Sequence, residues 1–239
     1  MYKPRAYRKW VKSDDLVSFE VIEKETDLLI SADRDLASQA RESVLNYRGD
    51  IEEYIESDPS FYASLEPVDV KNGACGIIRT MADAARRAGV GPMAAIAGAI
   101  AEFVGKDLLR YSGQVIVENG GDIFIRTDRP RIAGIYAGED SPFTGKLAVE
   151  IRTGEKGLGV CTSSGTVSHS LSFGRADAAL IISENTALAD AVATAAGNAV
   201  KSEEDIGRGV ELARSIEGVR GVLILAGSKM GSWGEIKLV

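Results

Sequence analysis

The stretch Val115-Ile116-Val117-Glu118-Asn119-Gly120-Gly121-Asp122-Ile123-Phe124-Ile125-Arg126 decides the fold class. β-Branched and aromatic residues run up to a turn tetrad, Asn119 to Asp122, and resume beyond it. That is the pattern of two antiparallel strands, 115–118 and 123–126, joined by a tight turn. Further short β-rich runs follow at 131–136, 147–151, 159–162 and 178–183, then helices at 186–200 and 203–216, and strands at 222–225 and 235–239. Upstream, 17–22 and 26–31 read as a hairpin turning at Glu23-Lys24-Glu25. A long helix is expected over 35–55, where Leu36, Ala40, Val44, Leu45 and Ile51 recur at helical spacing and Asp58-Pro59 ends the run. An amphipathic helix over 77–88 stops at Gly89. Pro92 then opens a helix to about Arg110, whose Ala94, Ala95, Ala97, Gly98 and Ala99 let another backbone approach closely.

Strands grouped between helices, without regular βαβ alternation, predict an α+β fold with largely antiparallel sheets packed against helices. The whole chain, 1–239, reads as a single domain. A candidate subdomain boundary lies within 59–76, a connector carrying Pro59, Pro67, Gly73 and Gly76. The segments NGACGIIRT at 72–80 and NGGDIFIRT at 119–127 agree at both ends and raise the question of an internal duplication.

Composition narrows the chemistry. The 239 residues carry a net charge of −7, with 26 Gly, 6% aromatic residues, 2 Cys and 1 His. The acidic balance argues against a nucleic-acid or anionic-membrane surface. One His and two well-separated Cys leave no zinc site of the His- or Cys-rich kind and no disulfide framework, so Cys75 and Cys161 are read as reduced core residues. Any metal should be a hard ion on oxygen ligands. The longest apolar run, 93–101, falls short of the roughly 20 residues a membrane span needs. The terminus MYKPRAYRKW carries no secretory pattern, and a cytoplasmic location is expected. Its Tyr7 and Trp10, interleaved with Lys3, Arg5, Arg8 and Lys9, read as a solvated arm able to stack on a ring or hold a phosphate.

Three constellations carry chemistry. In the turn Asn119-Gly120-Gly121-Asp122, two glycines free the backbone for a ligand's approach, although a plain hairpin turn has the same composition. In Cys161-Thr162-Ser163-Ser164-Gly165-Thr166, hydroxyls and N–H groups at a strand end can supply donors to a phosphate, with His169 just beyond; a Ser-rich surface loop looks the same. A Ser-His-Asp arrangement from Ser163, Ser164, His169 and Asp190 lacks the G-x-S-x-G elbow. The third is Asp190-Ala191-Val192-Ala193-Thr194. Positions i and i+4 share one helical face with Cβ atoms about 6 Å apart, so the Asp190 carboxylate and Thr194 hydroxyl can meet one ion such as Mg²⁺. An Asp favoured near a helix N-terminus, with Thr bonded back to a carbonyl, is the structural alternative.

Taken in order, NGGDIF at 119–124, CTSSGTVSH at 161–169 and DAVAT at 190–194 resemble the motifs of the ApbE family of FAD:protein FMN transferases. Upstream, PMAAIAGAIA at 92–101 is similar to that family's helix start, in which a backbone carbonyl reaches the metal; Ala95 is the matching position. The resemblance implies that Asp190, Thr194 and the Ala95 carbonyl bind Mg²⁺. It implies that Asn119, Gly120, Gly121 and Asp122 line the nucleotide pocket, that Thr162, Ser163, Ser164 and Gly165 cradle phosphate, and that His169 and Asp190 serve catalysis. FAD or a related nucleotide is then the substrate, and an acceptor protein with a Thr or Ser hydroxyl the partner. The chain departs from the family pattern in places. The family's Lys falls on Gly98, the M-G-T strand and the D-P-x-T-G segment are missing, and Arg175 is the nearest candidate for a replacement charge. These departures resemble a short, cytoplasmic branch. They leave two readings: an Mg-dependent enzyme that splits the diphosphate, by FMN transfer or hydrolysis, and a non-catalytic protein that binds a nucleotide or phosphorylated ligand.

Overall fold

A computed structural model describes residues 15–139, 141–166 and 173–239. The Tyr2–Trp10 arm and His169 lie outside the described residues. Strands β1 (Val17–Glu23) and β2 (Thr26–Ala32) form the first hairpin, turning at Lys24 with φ 51°. Helices α1 (Ala37–Ser57), α2 (Ser60–Ala63) and α3 (Gly76–Ala88) follow, and α3 ends at Gly89 in the left-handed conformation, as its position predicts. Pro92–Ala95 is a 3₁₀ turn, and α4 (Ile96–Leu108) begins only after it, with Ala95 as its N-cap. Then come β3 (Val115–Asn119), β4 (Asp122–Arg126), β5 (Arg131–Gly134), β6 (Ala148–Ile151), β7 (Leu158–Ser163), β8 (Ala178–Ser183), α5 (Thr186–Ala199), α6 (Ile206–Arg214), β9 (Val219–Ala226) and β10 (Lys229–Gly234).

Eight strands make one sheet in the order β1-β2-β3-β4-β7-β8-β9-β10, and every neighbouring pair is antiparallel. This is the expected α+β architecture. The pleat divides the central strands between two cores. Val115, Val117, Phe124, Cys161, Ala179, Ile181, Val222 and Ile224 join the helices, whereas Ile116, Ile125, Val160, Leu180, Ile182, Leu223 and Leu225 meet Ile135, Val149 and Ile151 around the β5–β6 hairpin. Strands buried on both faces read as continuous apolar runs, which is why 178–183 shows no alternation.

Three expectations are corrected. The last strand is not 235–239 but Lys229–Gly234, which pairs with β9; residues 235–239 instead run along β6 through Lys237, Val239 and a bridge from Leu238 to Val149. The shared ends of 72–80 and 119–127 carry no structural repeat, since the first segment enters α3 and the second is the β3–β4 hairpin. The connector 59–76 lays Phe61, Val68 and Val70 on the helix-side core. Leu45 of α1 is exposed rather than part of its buried face.

Candidate functional site

The three constellations lie along helix α5: the 162–165 segment runs to its C-terminal end, while the β3–β4 turn and the start of α4 meet it near Asp190. Helix α5 lies along β7: a Cβ on Gly159 would fall 2.5 Å from the Thr186 Cα, and a Cβ on Gly197 3.9 Å from the Ser163 Oγ. Asp190 and Thr194 sit between these two contacts, one helical turn apart. Asp190 is buried and Thr194 half-buried. The β3–β4 turn meets the end of β7 from the other side: the Thr162 N–H donates to the Gly121 carbonyl at 2.9 Å, and a Cβ on Gly121 would collide with the Thr162 carbonyl oxygen at 2.5 Å. Gly121 is therefore required by close approach, while Gly120 supplies a φ of 72° for the turn.

At the start of α4, the Gly98 N–H donates to Asp190 Oδ2 at 2.9 Å, and the Asn119 side-chain amide donates to the Ala97 carbonyl at 3.2 Å. Asp122 pairs with Asn119 across the hairpin and with Cys161 on β7. Burial and then the Asp122 charge push the Asp190 carboxyl well above the ordinary range, against the pull of the Gly98 and Ala97 N–H groups. Burial likewise raises the Asp122 carboxyl to about 7, the Glu118 charge adding to it and the Cys161 thiol opposing it. Burial and then these two carboxylates push the Cys161 thiol up as well, consistent with an inert core cysteine.

No Lys or Arg among the described residues is one of the groups that set either carboxyl. Among the described residues, no three His, Cys, Asp or Glu side chains converge as a metal-binding group. An ion here would rest on the Asp190 carboxylate with hydroxyl and carbonyl oxygens, a donor set that suits Mg²⁺. Two neighbouring acids with no Lys or Arg beside them among the described residues are what such an ion would neutralise, so the residues fit it.

The other site residues predicted from sequence are placed as follows. Ala95 is fully buried at the N-cap of α4. At the end of β7 and just beyond it, N–H donors of 162–165 are used within the protein: Thr162 N–H bonds the Gly121 carbonyl and Gly165 N–H the Ala176 carbonyl, each at 2.9 Å, while Ser164 Oγ accepts the Thr166 N–H at 3.2 Å. The hydroxyl-bearing Thr162 and Ser163 remain half-buried. Position 98 has no room for a side chain, since its Cβ would lie 2.5 Å from the Thr186 carbonyl oxygen and 2.8 Å from the Asp190 Cβ. Arg175 is exposed. A groove of 230 Å³ lined by Glu150, Arg152, Ile182 and Lys237 belongs to the opposite side of the sheet. Among the described residues, no single helix is long and apolar enough to cross a membrane.

Sequence reasoning had not marked Glu102, buried in α4, which accepts the Thr186 N–H at the first residue of α5 and pairs with Lys106. An acid inside an apolar helix was the available signal.

This architecture is that of the ApbE flavin transferases. The chain is similar to the apo flavinyl transferase ApbE of Pseudomonas stutzeri with a TM-score of 0.59 at 15% identity, over 93% of this chain and 94% of that one. It is also similar to the ApbE protein of Thermotoga maritima, with a TM-score of 0.56 at 14% identity over 90% and 96%. In sequence, a UPF0280 protein of Methanocaldococcus jannaschii is 42% identical over 222 residues, 90% of each chain. Another, from Methanosarcina barkeri, is 40% identical over 220 residues, 90% of this chain and 86% of that one. The model of the family described as AbpE bacteria matches residues 8–217, and the chain belongs to that family.

Proposed function

We propose that this chain is an Mg²⁺-dependent enzyme that acts on the diphosphate of FAD or a related dinucleotide, releasing AMP as FMN passes to a protein hydroxyl or to water. The observation that carries this reading is the pair of acids, buried Asp190 and half-buried Asp122, uncompensated by any Lys or Arg among the described residues, set where the glycine turn, the end of β7 and the first turn of α4 meet. The motif resemblance to FAD:protein FMN transferases and the likeness to solved flavin transferases support it. Asp190 and Thr194 would hold the ion, with the Ala95 carbonyl as the backbone ligand implied by resemblance. When bound, the ion supplies Lewis-acid polarisation of a diphosphate oxygen.

Around that point the chain's own residues do the rest. The glycines at 120 and 121 keep the turn free of side chains where the nucleotide would lie, and Thr162 and Ser163 offer hydroxyl donors at its edge. His169 is assigned the role of acid, base or positioning group beside the diphosphate. Positioning and charge neutralisation are the larger part of catalysis in phosphoryl chemistry, which this arrangement suits. Incubation with FAD should release AMP and FMN in the presence of Mg²⁺ and not in its absence, and Asp190→Ala should abolish the release. No turnover in the metal-supplemented wild type would sink the enzyme reading for FAD.

A second reading, a nucleotide-binding protein without turnover, is favoured by one observation. The packing at Gly98 excludes the cation that the family pattern places there. FAD binding detected by flavin fluorescence, with no AMP formed, would decide for it.

A further inference from the structure

We infer that Asn119 is a positioning residue for Asp190, acting through the Ala97–Gly98 peptide, rather than a nucleotide contact. The inference rests on the metal role proposed for Asp190. The Ala97 carbonyl and the Gly98 N–H are the two polar ends of one planar amide. The Asn119 side-chain amide donates to the first at 3.2 Å, and the second donates to Asp190 Oδ2 at 2.9 Å. A single rigid peptide thus spans the end of β3 and the second turn of α5. A carbonyl only accepts, so the contact with Ala97 also fixes which end of the Asn119 carboxamide faces α4.

Both anchors are themselves held. Asn119 closes the hairpin opposite Asp122 and pairs with Leu28 on β2. Gly98, without a Cβ, lets the Asp190 side chain reach the peptide N–H directly, since any Cβ there would collide with Asp190. Donation to the carbonyl polarises the amide and strengthens the bond its N–H makes, because linked hydrogen bonds reinforce one another. Asn119 therefore acts on Asp190 as an outer-shell partner acts on a metal ligand: it sets the orientation of the carboxylate without touching it. Removing such a partner typically costs 10–100-fold in metal affinity.

The test uses Mg²⁺ titration calorimetry on the full chain, together with the Gly98 amide proton resonance recorded without metal. Asn119→Ala should weaken Mg²⁺ binding roughly 10-fold or more and move the Gly98 resonance upfield. Asn119→Gln, which keeps a donor, should recover most of both. A role confined to the hairpin turn would lower the melting temperature but leave the Gly98 resonance in place, and that result overturns the inference. Asp190→Ala separates the two levels. If it binds Mg²⁺ like the wild type, the metal assignment itself falls; if it loses Mg²⁺ while Asn119→Ala keeps full affinity, only the positioning role falls.

Discussion

Asp190 on α5 accepts the Gly98 N–H of α4 at 2.9 Å, and Glu102 on α4 returns the contact by accepting the Thr186 N–H of α5 at 2.5 Å. As α4 advances from 98 to 102, its partner recedes from 190 to 186, so the N-terminal halves of the two helices overlap in opposite senses and each supplies an acid to an N–H in the other's first turn. Helix N-termini leave unsatisfied N–H groups and a partial positive charge, and both carboxylates answer that need. They differ in one respect: Glu102 is paired with Lys106, whereas Asp190 faces another acid.

That difference predicts opposite phenotypes for the two caps. Glu102→Ala leaves a buried Thr186 N–H without its acceptor and should cost about 1–3 kcal/mol of stability, with Mg²⁺ affinity changed far less than in an Asp190 variant. Asp190→Asn keeps an acceptor for Gly98 and removes the repulsion with Asp122. It should leave the metal-free protein at least as stable as the wild type while losing Mg²⁺ binding. Chemical denaturation paired with calorimetry checks both. An Asp190→Asn protein that is markedly less stable without metal would show that the carboxylate is structural.

The acid pair also predicts an unusual pH response of the metal-free protein. Asp122 is raised from 3.8 to about 7 and Asp190 is raised as well, so the folded state binds protons more tightly than the unfolded chain. Their contribution is fully present below the unfolded value of 3.8 and is lost as pH rises toward about 7. Relative to Asp122→Asn, the wild type should therefore lose stability across that window, and Mg²⁺ should restore it at the upper end. Urea melts at a series of pH values measure the difference; a flat difference would mean that the pair ionises normally.

Asp33 makes the contrasting case, away from the site. Its carboxylate accepts the Ser112 hydroxyl at 3.0 Å and the N–H groups of Gly113 and Gln114 at 2.7 and 3.1 Å. Partial burial works to raise this carboxyl, but the donors of Gln114, Ser112 and Gly113 outweigh it and hold it below its ordinary value. The stabilisation it gives is present above the unfolded value and lost as pH falls through the folded one. Asp33→Ala should cost about 1 kcal/mol at neutral pH, less in acid, and leave Mg²⁺ affinity unchanged.

Much of this was legible in the sequence because the information is local. The VIVENGGDIFIR hairpin, the Gly89 stop and the runs 159–162 and 178–183 each follow from residue type and period. The β10 strand, Lys-Met-Gly-Ser-Trp-Gly, was not readable as a strand. Its two glycines and low apolar content suit a turn, and it is extended because β9 pairs with it and α6 packs over Gly231, where a Cβ would lie 2.6 Å from Ile206. The site divides in the same way. Asp190 and Thr194 could be paired from helical spacing, but nothing in the sequence places Asn119 on the Ala97 carbonyl or Asp122 beside Asp190, since both depend on how the sheet carries the hairpin to the helix starts. Gly98 read as a missing lysine; in the structure it is a space that the helix crossing needs closed.

Gly98→Ala tests that last point. The added Cβ would lie 2.5 Å from the Thr186 carbonyl oxygen, which is backbone and cannot rotate away, and 2.8 Å from the Asp190 Cβ. Relief requires α4 and α5 to separate, and overpacking of this kind typically costs 1–3 kcal/mol. A gain in helix propensity of about 1 kcal/mol from Gly to Ala works in the other direction, so the net loss of stability should be modest. The loss of Mg²⁺ affinity should be larger, because separation lengthens the Gly98–Asp190 bond that orients the carboxylate. Gly98→Lys should behave no better, despite the charge it adds, since the clash arises at Cβ before the ammonium is reached. A Gly98→Lys protein that folds normally and binds nucleotide more tightly would show that the helix crossing yields, and that the absence of a lysine is a choice of chemistry rather than of packing.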